Sequence, residues 1–262
     1  MNMHIRKLLA VTVLLATTLS AGATGLLDAV QHRGTLRVAM EGTYPPFNYK
    51  ENGKLAGFEV ELADALAHRL GVKAEFTTGE WSGLLAGLQA GKYDVVINQV
   101  GITDQRKKAF DFSAPYTISS PQLIVRKDDK RVFKSLVDLR GKKLGVGEGT
   151  NFADMAKAVG GIDIKTYPGS SEYLQDLALG RIDAAMNDSL LIPYIIKKTN
   201  LPLTAGAPVG QIEESGIPFA KGNPKFKAAL DKALADMEAD GSFAKISDKW
   251  FDRDVSKPPV AP

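Results

Sequence analysis

Short runs rich in β-branched residues alternate with helical patterns along most of this chain, and that alternation restricts the fold more than any other feature. Thr35–Met40, Lys73–Thr77 and Tyr93–Asn98 read as strands, and Phe58–Leu70 and Trp81–Gln89 read as helices. Strands separated by helices build βαβ units, which call for α/β layers around a mainly parallel sheet. In the first long helix Phe58, Leu62, Ala65, Leu66 and Leu70 share one face, while Glu59, Glu61, Asp64 and His68 fall elsewhere, the pattern of a helix covering a sheet.

The alternation restarts after Lys127–Arg131, with strands at Lys143–Val146, Asp163–Thr166 and Asp183–Asn187 and helices from Asn151 and over Ser171–Leu179. A helix over Asp188–Lys198 follows, then a loop marked by Pro202, Pro208 and Gly210, a strand at Gly216–Ala220, and helices at 223–240 and 242–251. The Pro-rich tail from Asp252 reads as frayed. Gly91-Lys-Tyr-Asp-Val-Val-Ile-Asn98 is echoed by Gly180-Arg-Ile-Asp-Ala-Ala-Met-Asn187. The echo means either shared helix-to-strand turn chemistry or two similar lobes facing one another. In the second case the polar strand ends, Asn98-Gln99 and Asn187-Asp188, meet across a cleft, since α/β sheets bind ligands outside the carboxyl ends of their strands.

Arg6 and Lys7 precede an apolar run from Leu8 to Leu19, and Ala21-Gly22-Ala23 supplies small residues for cleavage, so residues 1–23 read as an export signal and the mature chain starts near Thr24. The run is shorter than the roughly 20 apolar residues a membrane span needs. Cleavage removes two basic residues and no acidic one, leaving 31 positive charges against 30 negative. With lysines and acidic residues interspersed, nothing here invites nucleic acid. The chain has no cysteine, which excludes disulfides, thiolate metal sites and cysteine nucleophiles. Of its three histidines, His4 leaves with the signal, His32 lies near the mature start and His68 sits on a polar helix face, so a Ser-His pair is hard to build.

Several residues could carry ligand chemistry. Arg106, just beyond the Asn98 strand end, is either a solvated turn residue or a planar fork for a carboxylate. Asp188 is either an N-cap or an acceptor for an ammonium group. The Gly147-Glu-Gly-Thr-Asn151 connection is either plain or an anion-favouring helix start at Thr150 and Asn151; it lacks the ending of a nucleotide P-loop. Tyr44 and Trp81 stand at strand-to-helix junctions, as core residues or as cleft walls, whereas Phe47 and Phe58 belong to the core. Glu41 and Asp188 could form a paired-carboxylate mechanism, although no spacing demands it.

Glu41-Gly-Thr-Tyr-Pro-Pro-Phe47, Gly57-Phe-Glu-Val-Glu-Leu62, Thr103-Asp-Gln-Arg-Lys-Lys-Ala-Phe-Asp-Phe-Ser-Ala-Pro-Tyr116 and the tail Asp240-Gly-Ser-Phe243 with Lys249-Trp-Phe251 resemble the bacterial extracellular solute-binding proteins of family 3, periplasmic receptors for polar amino acids. The resemblance runs from about Gly34 to Phe251. It implies that Arg106 binds the ligand carboxylate, Asp188 its ammonium group, Tyr44 and Trp81 its aliphatic part, and Thr150 and Asn151 the carboxylate from the second lobe. It further implies that Glu41, Gln99 and Asn187 touch the variable part of the ligand. Gly101 replaces a hydroxyl residue of many relatives, which removes one side-chain donor to the carboxylate. Glu-Gly-Thr-Tyr-Pro-Pro, Val-Ile-Asn-Gln-Val and Gly-Thr-Asn look most like the cystine-binding proteins.

The resulting expectation is a periplasmic, monomeric protein without cofactor or metal that closes on a polar amino acid, L-cystine among the candidates, and delivers it to the membrane permease of an ABC importer. Lobe one would comprise residues 24–118 and 213–262 and lobe two residues 119–212, with crossings near Tyr116–Pro121 and Gln211–Ser215 acting as a hinge. Two rivals stand beside it. One is an enzyme resembling the cyclohexadienyl and arogenate dehydratases on the same fold; the other is a sensory ligand-binding module.

Overall fold

The computed structural model describes residues 25–258. The export signal and the start at Thr24 lie outside the described residues, as does the end of the tail from 259 onward. Among the described residues no helix is long and apolar enough to cross a membrane.

The first stretch of chain runs α1 (Leu26–Arg33), β1 (Thr35–Met40), β2 (Thr43–Tyr44), β3 (Asn48–Glu51), β4 (Lys54–Ala56), α2 (Phe58–Arg69), β5 (Lys73–Thr78), α3 (Trp81–Gln89), β6 (Val95–Val96), α4 (Asp104–Ala109) and β7 (Phe110–Phe112). It then passes through β8 (Thr117–Ser119) into β9 (Pro121–Arg126), β10 (Lys143–Gly147), α5 (Asn151–Val159), β11 (Asp163–Tyr167), α6 (Ser170–Ala178), β12 (Ala184–Asp188), α7 (Leu191–Lys198) and β13 (Leu203–Pro208). The return is through β14 (Glu213–Ser215) to β15 (Pro218–Ala220), α8 (Pro224–Ala239) and α9 (Ser242–Phe251).

These elements make two lobes, each around a five-stranded sheet. One sheet has the order β5-β1-β6-β15-β7 and the other β11-β10-β12-β9-β13. In both, the parallel trio expected from the alternation is present, and an antiparallel pair extends it on one side. Between the sheets β8 pairs antiparallel with β14. A small meander, β2-β3-β4, flanks the first sheet.

Apolar faces explain the packing. Phe58, Leu62 and Leu66 of α2 are fully buried, and Phe58 meets Phe243 and Phe251 of α9 edge-on at 5.9 and 5.2 Å, an arrangement aromatic pairs prefer. Phe47 completes this cluster against Phe251, so the last helix rests on the first lobe. Phe47 and Phe58 are core residues, as read from the sequence.

Three local expectations change. The Pro- and Gly-marked loop after α7 contains β13, whose Gly206 passes so close to Leu123 that a Cβ there would sit 2.9 Å from the Leu123 Cβ. The tail is not frayed over residues 252–258: Val255 is fully buried, and its carbonyl accepts from the Ile118 amide at 2.8 Å. Finally, α7 begins at Leu191, so Asp188 closes β12 and is not that helix's N-cap.

Candidate ligand-binding cleft

The carboxyl ends of the strands converge between the two sheets on a cavity with about 490 Å³ of empty space, its open mouth included. Glu41, Tyr44, Trp81 and Gln99 line it from the first lobe, and Thr150, Asn151, Tyr173 and Asn187 from the second. Seven of the ten residues singled out from the sequence are thus on its walls; Gly101, Arg106 and Asp188 stand just outside them.

Arg106 owes its place to α4. Thr103 caps that short helix, its Oγ1 accepting from the Arg106 amide at 3.2 Å, which turns the side chain back toward the strand end. The guanidinium donates to the Gly101 carbonyl (3.1 Å) and lies over the Trp81 ring, 5.2 Å from its centre. It borders a second space that shares Asn151 with the first cavity and also holds Glu213 and Asp154. Burial lowers the Arg106 pKa from its ordinary value, and the two carboxylates oppose that shift. A Cβ on Gly101 would lie 3.5 Å from Arg106 Nη1 and 3.7 Å from Asn151 Nδ2, so Gly101 separates the two.

At the second lobe's helix start, Thr150 Oγ1 donates to the Gly147 carbonyl (2.8 Å) and accepts from the Ala153 amide (3.2 Å). Asn151 Nδ2 donates to Glu213 Oε2 at 2.8 Å. Thr150 therefore caps α5, and Asn151 reaches across to β14.

Asp188 is buried between the lobes. Its Oδ2 accepts from the Ser119 hydroxyl (2.5 Å) and from Gln99 Nε2 (3.4 Å), and its Oδ1 accepts from the Leu190 amide (2.8 Å). Burial raises its pKa to about 6, against the hydrogen bonds from Ser119 and Leu190. Oδ1 thus serves the turn that leads into α7, and Oδ2 is the oxygen that faces Ser119 and Gln99.

Glu41 holds Asn98 in a reciprocal pair: its amide donates to Asn98 Oδ1 (2.8 Å) and its Oε2 accepts from Asn98 Nδ2 (2.7 Å). Burial, with Glu172 opposite, raises its pKa to about 7. Tyr44 donates to Asn187 Oδ1 at 2.6 Å, and Asn187 in turn donates to the Tyr173 hydroxyl. That chain joins the lobes through three side chains.

Beneath the cleft lies a residue the helical pattern set apart from the apolar face. Glu59 is fully buried and accepts from Tyr116 Oη (2.5 Å), Asn48 Nδ2 (2.6 Å) and the Gln99 amide (2.7 Å). Burial raises its pKa to about 7. These bonds hold Gln99 in a left-handed conformation, φ +47°, unusual for a residue with a side chain. The only trace of this in the sequence is a carboxylate between two apolar residues, Phe58 and Val60.

Two α/β sheets with a polar cavity between their strand ends form the architecture of amino-acid-binding periplasmic proteins. The chain belongs to the bacterial extracellular solute-binding proteins, family 3, whose family model matches residues 36–253. It is 47% identical to an L-cystine-binding protein of Escherichia coli over 235 residues, 89% of this chain and 88% of that one. Among solved structures, an ancestral arginine-binding protein bound to arginine superposes with a TM-score of 0.79 at 41% identity, over 84% of this chain and 99% of that one. An ancestral amino acid-binding protein described as a precursor of cyclohexadienyl dehydratase superposes with a TM-score of 0.81 at 37% identity, over 86% and 99%.

Proposed function

We propose that this protein binds a polar amino acid, L-cystine foremost, between its lobes outside the cytoplasm and delivers it to the permease of an ABC importer. The observation that carries the reading is the cavity walled by both lobes, lined by Tyr44, Trp81 and hydrogen-bonding side chains, with Arg106 stacked over its Trp81 wall and Asp188 bonded to its Gln99 wall. Arg106 binds the α-carboxylate with the amides at the start of α5, and Asp188 Oδ2, exchanging its Gln99 contact for the ligand, takes the ammonium group. Tyr44 and Trp81 flank the aliphatic part. Glu41, Gln99 and Asn187 meet the side chain.

Among the described residues, 25–118 with 213–258 form one lobe and 119–212 the other, and the paired strands β8 and β14 flex between them. Binding closes the cleft, and the importer reads the closed form. The mature chain, released from its export signal, works as a monomer and without catalysis. The family and the identity to the Escherichia coli L-cystine-binding protein support this reading.

A calorimetric titration of the mature protein with the standard amino acids and L-cystine tests it. Tight, saturable binding of L-cystine is expected; no heat with any of them overturns the reading. The dehydratase reading draws on Glu41, a carboxyl in the cleft that burial holds protonated toward neutrality. Formation of aromatic product from prephenate or arogenate would decide for it.

A further inference from the structure

The cleft does not end at the cavity described above. Glu41, Pro168, Gly169 and Ser170 form a wall shared with a neighbouring space of about 910 Å³, open to solvent, whose lining also includes Lys50, Glu80 and Glu172. Glu41, Lys50 and Glu80 come from the first lobe, Glu172 from the second. Among the described residues none of Lys50, Glu80 and Glu172 has an opposite charge within ion-pair distance. Gly169 and Ser170 also open α6, a nine-residue helix whose N-terminus no side chain caps, so the helix begins with uncapped amides in residues that line the same space.

We infer that this space is a second subsite, which takes the distal α-amino-acid head of a ligand with two zwitterionic ends. The proposal rests on the binding function proposed above and assigns its ligand class. The charges fit such a head: Lys50 and the amides of α6 suit a carboxylate, and Glu41 with Glu172 suits an ammonium group. Those two carboxylates come from opposite lobes and line the same space, and the charge of Glu172 helps to raise the Glu41 pKa. An ammonium group between them replaces repulsion with two attractions and draws the lobes together. The separation is also suitable. In a disulfide the two Cα atoms are about 5.5 Å apart, so the two heads of such a ligand occupy adjoining spaces with one shared wall.

The test compares L-cystine with S-methyl-L-cysteine, which keeps one head and the adjacent sulfur, by calorimetry on the full mature chain and on Lys50→Ala and Glu172→Gln. The wild type is expected to bind L-cystine at least tenfold more tightly than the one-headed ligand. Each variant is expected to weaken L-cystine fivefold or more and leave S-methyl-L-cysteine within twofold. If both variants keep wild-type affinity for L-cystine, or the wild type binds both ligands equally, the second subsite is refuted while the binding function stands. A wild type that binds no amino acid overturns both.

Discussion

Gly101 lies in extended backbone, bridged to Ser215 of β14, with Arg106 and Asn151 on either side of the place where its side chain would be. A Cβ there meets both at ordinary contact distances, so Gly101→Ser is expected to fold normally and to add a hydroxyl donor for the ligand carboxylate. One added hydrogen bond contributes about 0.5–1.5 kcal/mol, which corresponds to about 2- to 10-fold tighter binding by calorimetry; unchanged or weaker binding would place the carboxylate elsewhere. Arg106→Ala carries the opposite expectation. Removing one partner of a desolvated charge pair costs about 2–5 kcal/mol, so affinity should fall roughly 30-fold to several thousand-fold, and near wild-type affinity would reject the assignment. At this scale the sequence was informative where chemistry is local: Arg106 sits in a recognisable motif, and Tyr44 and Trp81 at element junctions. It was silent on Glu59, whose burial depends on Asn48, Tyr116 and Gln99, groups that only the folded chain brings to it.

Paired elements explain why the echoed segments look alike. Gly91 and Gly180 both adopt positive φ, +70° and +73°, after a helix, where a residue without Cβ is at little cost. Three residues on, Asp94 Oδ2 accepts from the Arg37 amide and Asp183 Oδ2 from the Lys143 amide, each at 2.8 Å. Both aspartates thus bind a backbone amide in the first half of the middle strand of a parallel trio, β1 or β10, and the similarity carries through to the matching trios. Elements held by long-range packing were less legible. β13 has no alternation and includes Gly206 and Pro208, so it reads as loop until β9 pairs with it. The tail shows the same limit, since Val255 looks solvent-bound until Ile118 and Ser247 are folded beside it. Ending the chain at Asp252 should therefore destabilise the protein. Exposing one buried valine costs about 1.5–3 kcal/mol, and each kcal/mol moves Tm by about 2–4 °C at this size, so a scan should show a drop of about 5 °C; an unchanged Tm would mean the tail packs without contributing. Gly57 is the stricter case. At φ +129° it opens α2, and a Cβ would lie 2.2 Å from the Phe47 carbonyl oxygen. Gly57→Ala must shift backbone, costing about 1–3 kcal/mol, and a thermal scan should show a drop in Tm of about 2–12 °C by the same conversion.

For the molecule as a whole, the cleft stores carboxyls that burial keeps from ionising. Glu41 and Glu59 are raised to about 7 and Asp188 to about 6, from ordinary values of 4.5, 4.5 and 3.8. Between about pH 4 and pH 7 the folded chain therefore binds more protons than the unfolded one, and stability from these groups falls as pH rises through that window. Asp129, lowered to about 2 by Arg131, acts in the opposite sense, its contribution being lost only as pH drops below about 4. Without ligand, Tm should thus decline from pH 5 to pH 7.5. A ligand ammonium group favours the ionised forms of Glu41 and Asp188, so binding should release protons and tighten with pH over the same interval. Thermal scans at both pH values, with and without L-cystine, should show the ligand-induced rise in Tm widening as the free protein weakens. Glu59→Gln, which removes a titrating group away from the ligand, should flatten the decline of the free protein and leave the pH dependence of binding in place. A free protein that grows more stable from pH 5 to pH 7.5 would mean that these carboxyls ionise without penalty, and the cleft would then have no charge deficit for a cationic group to relieve.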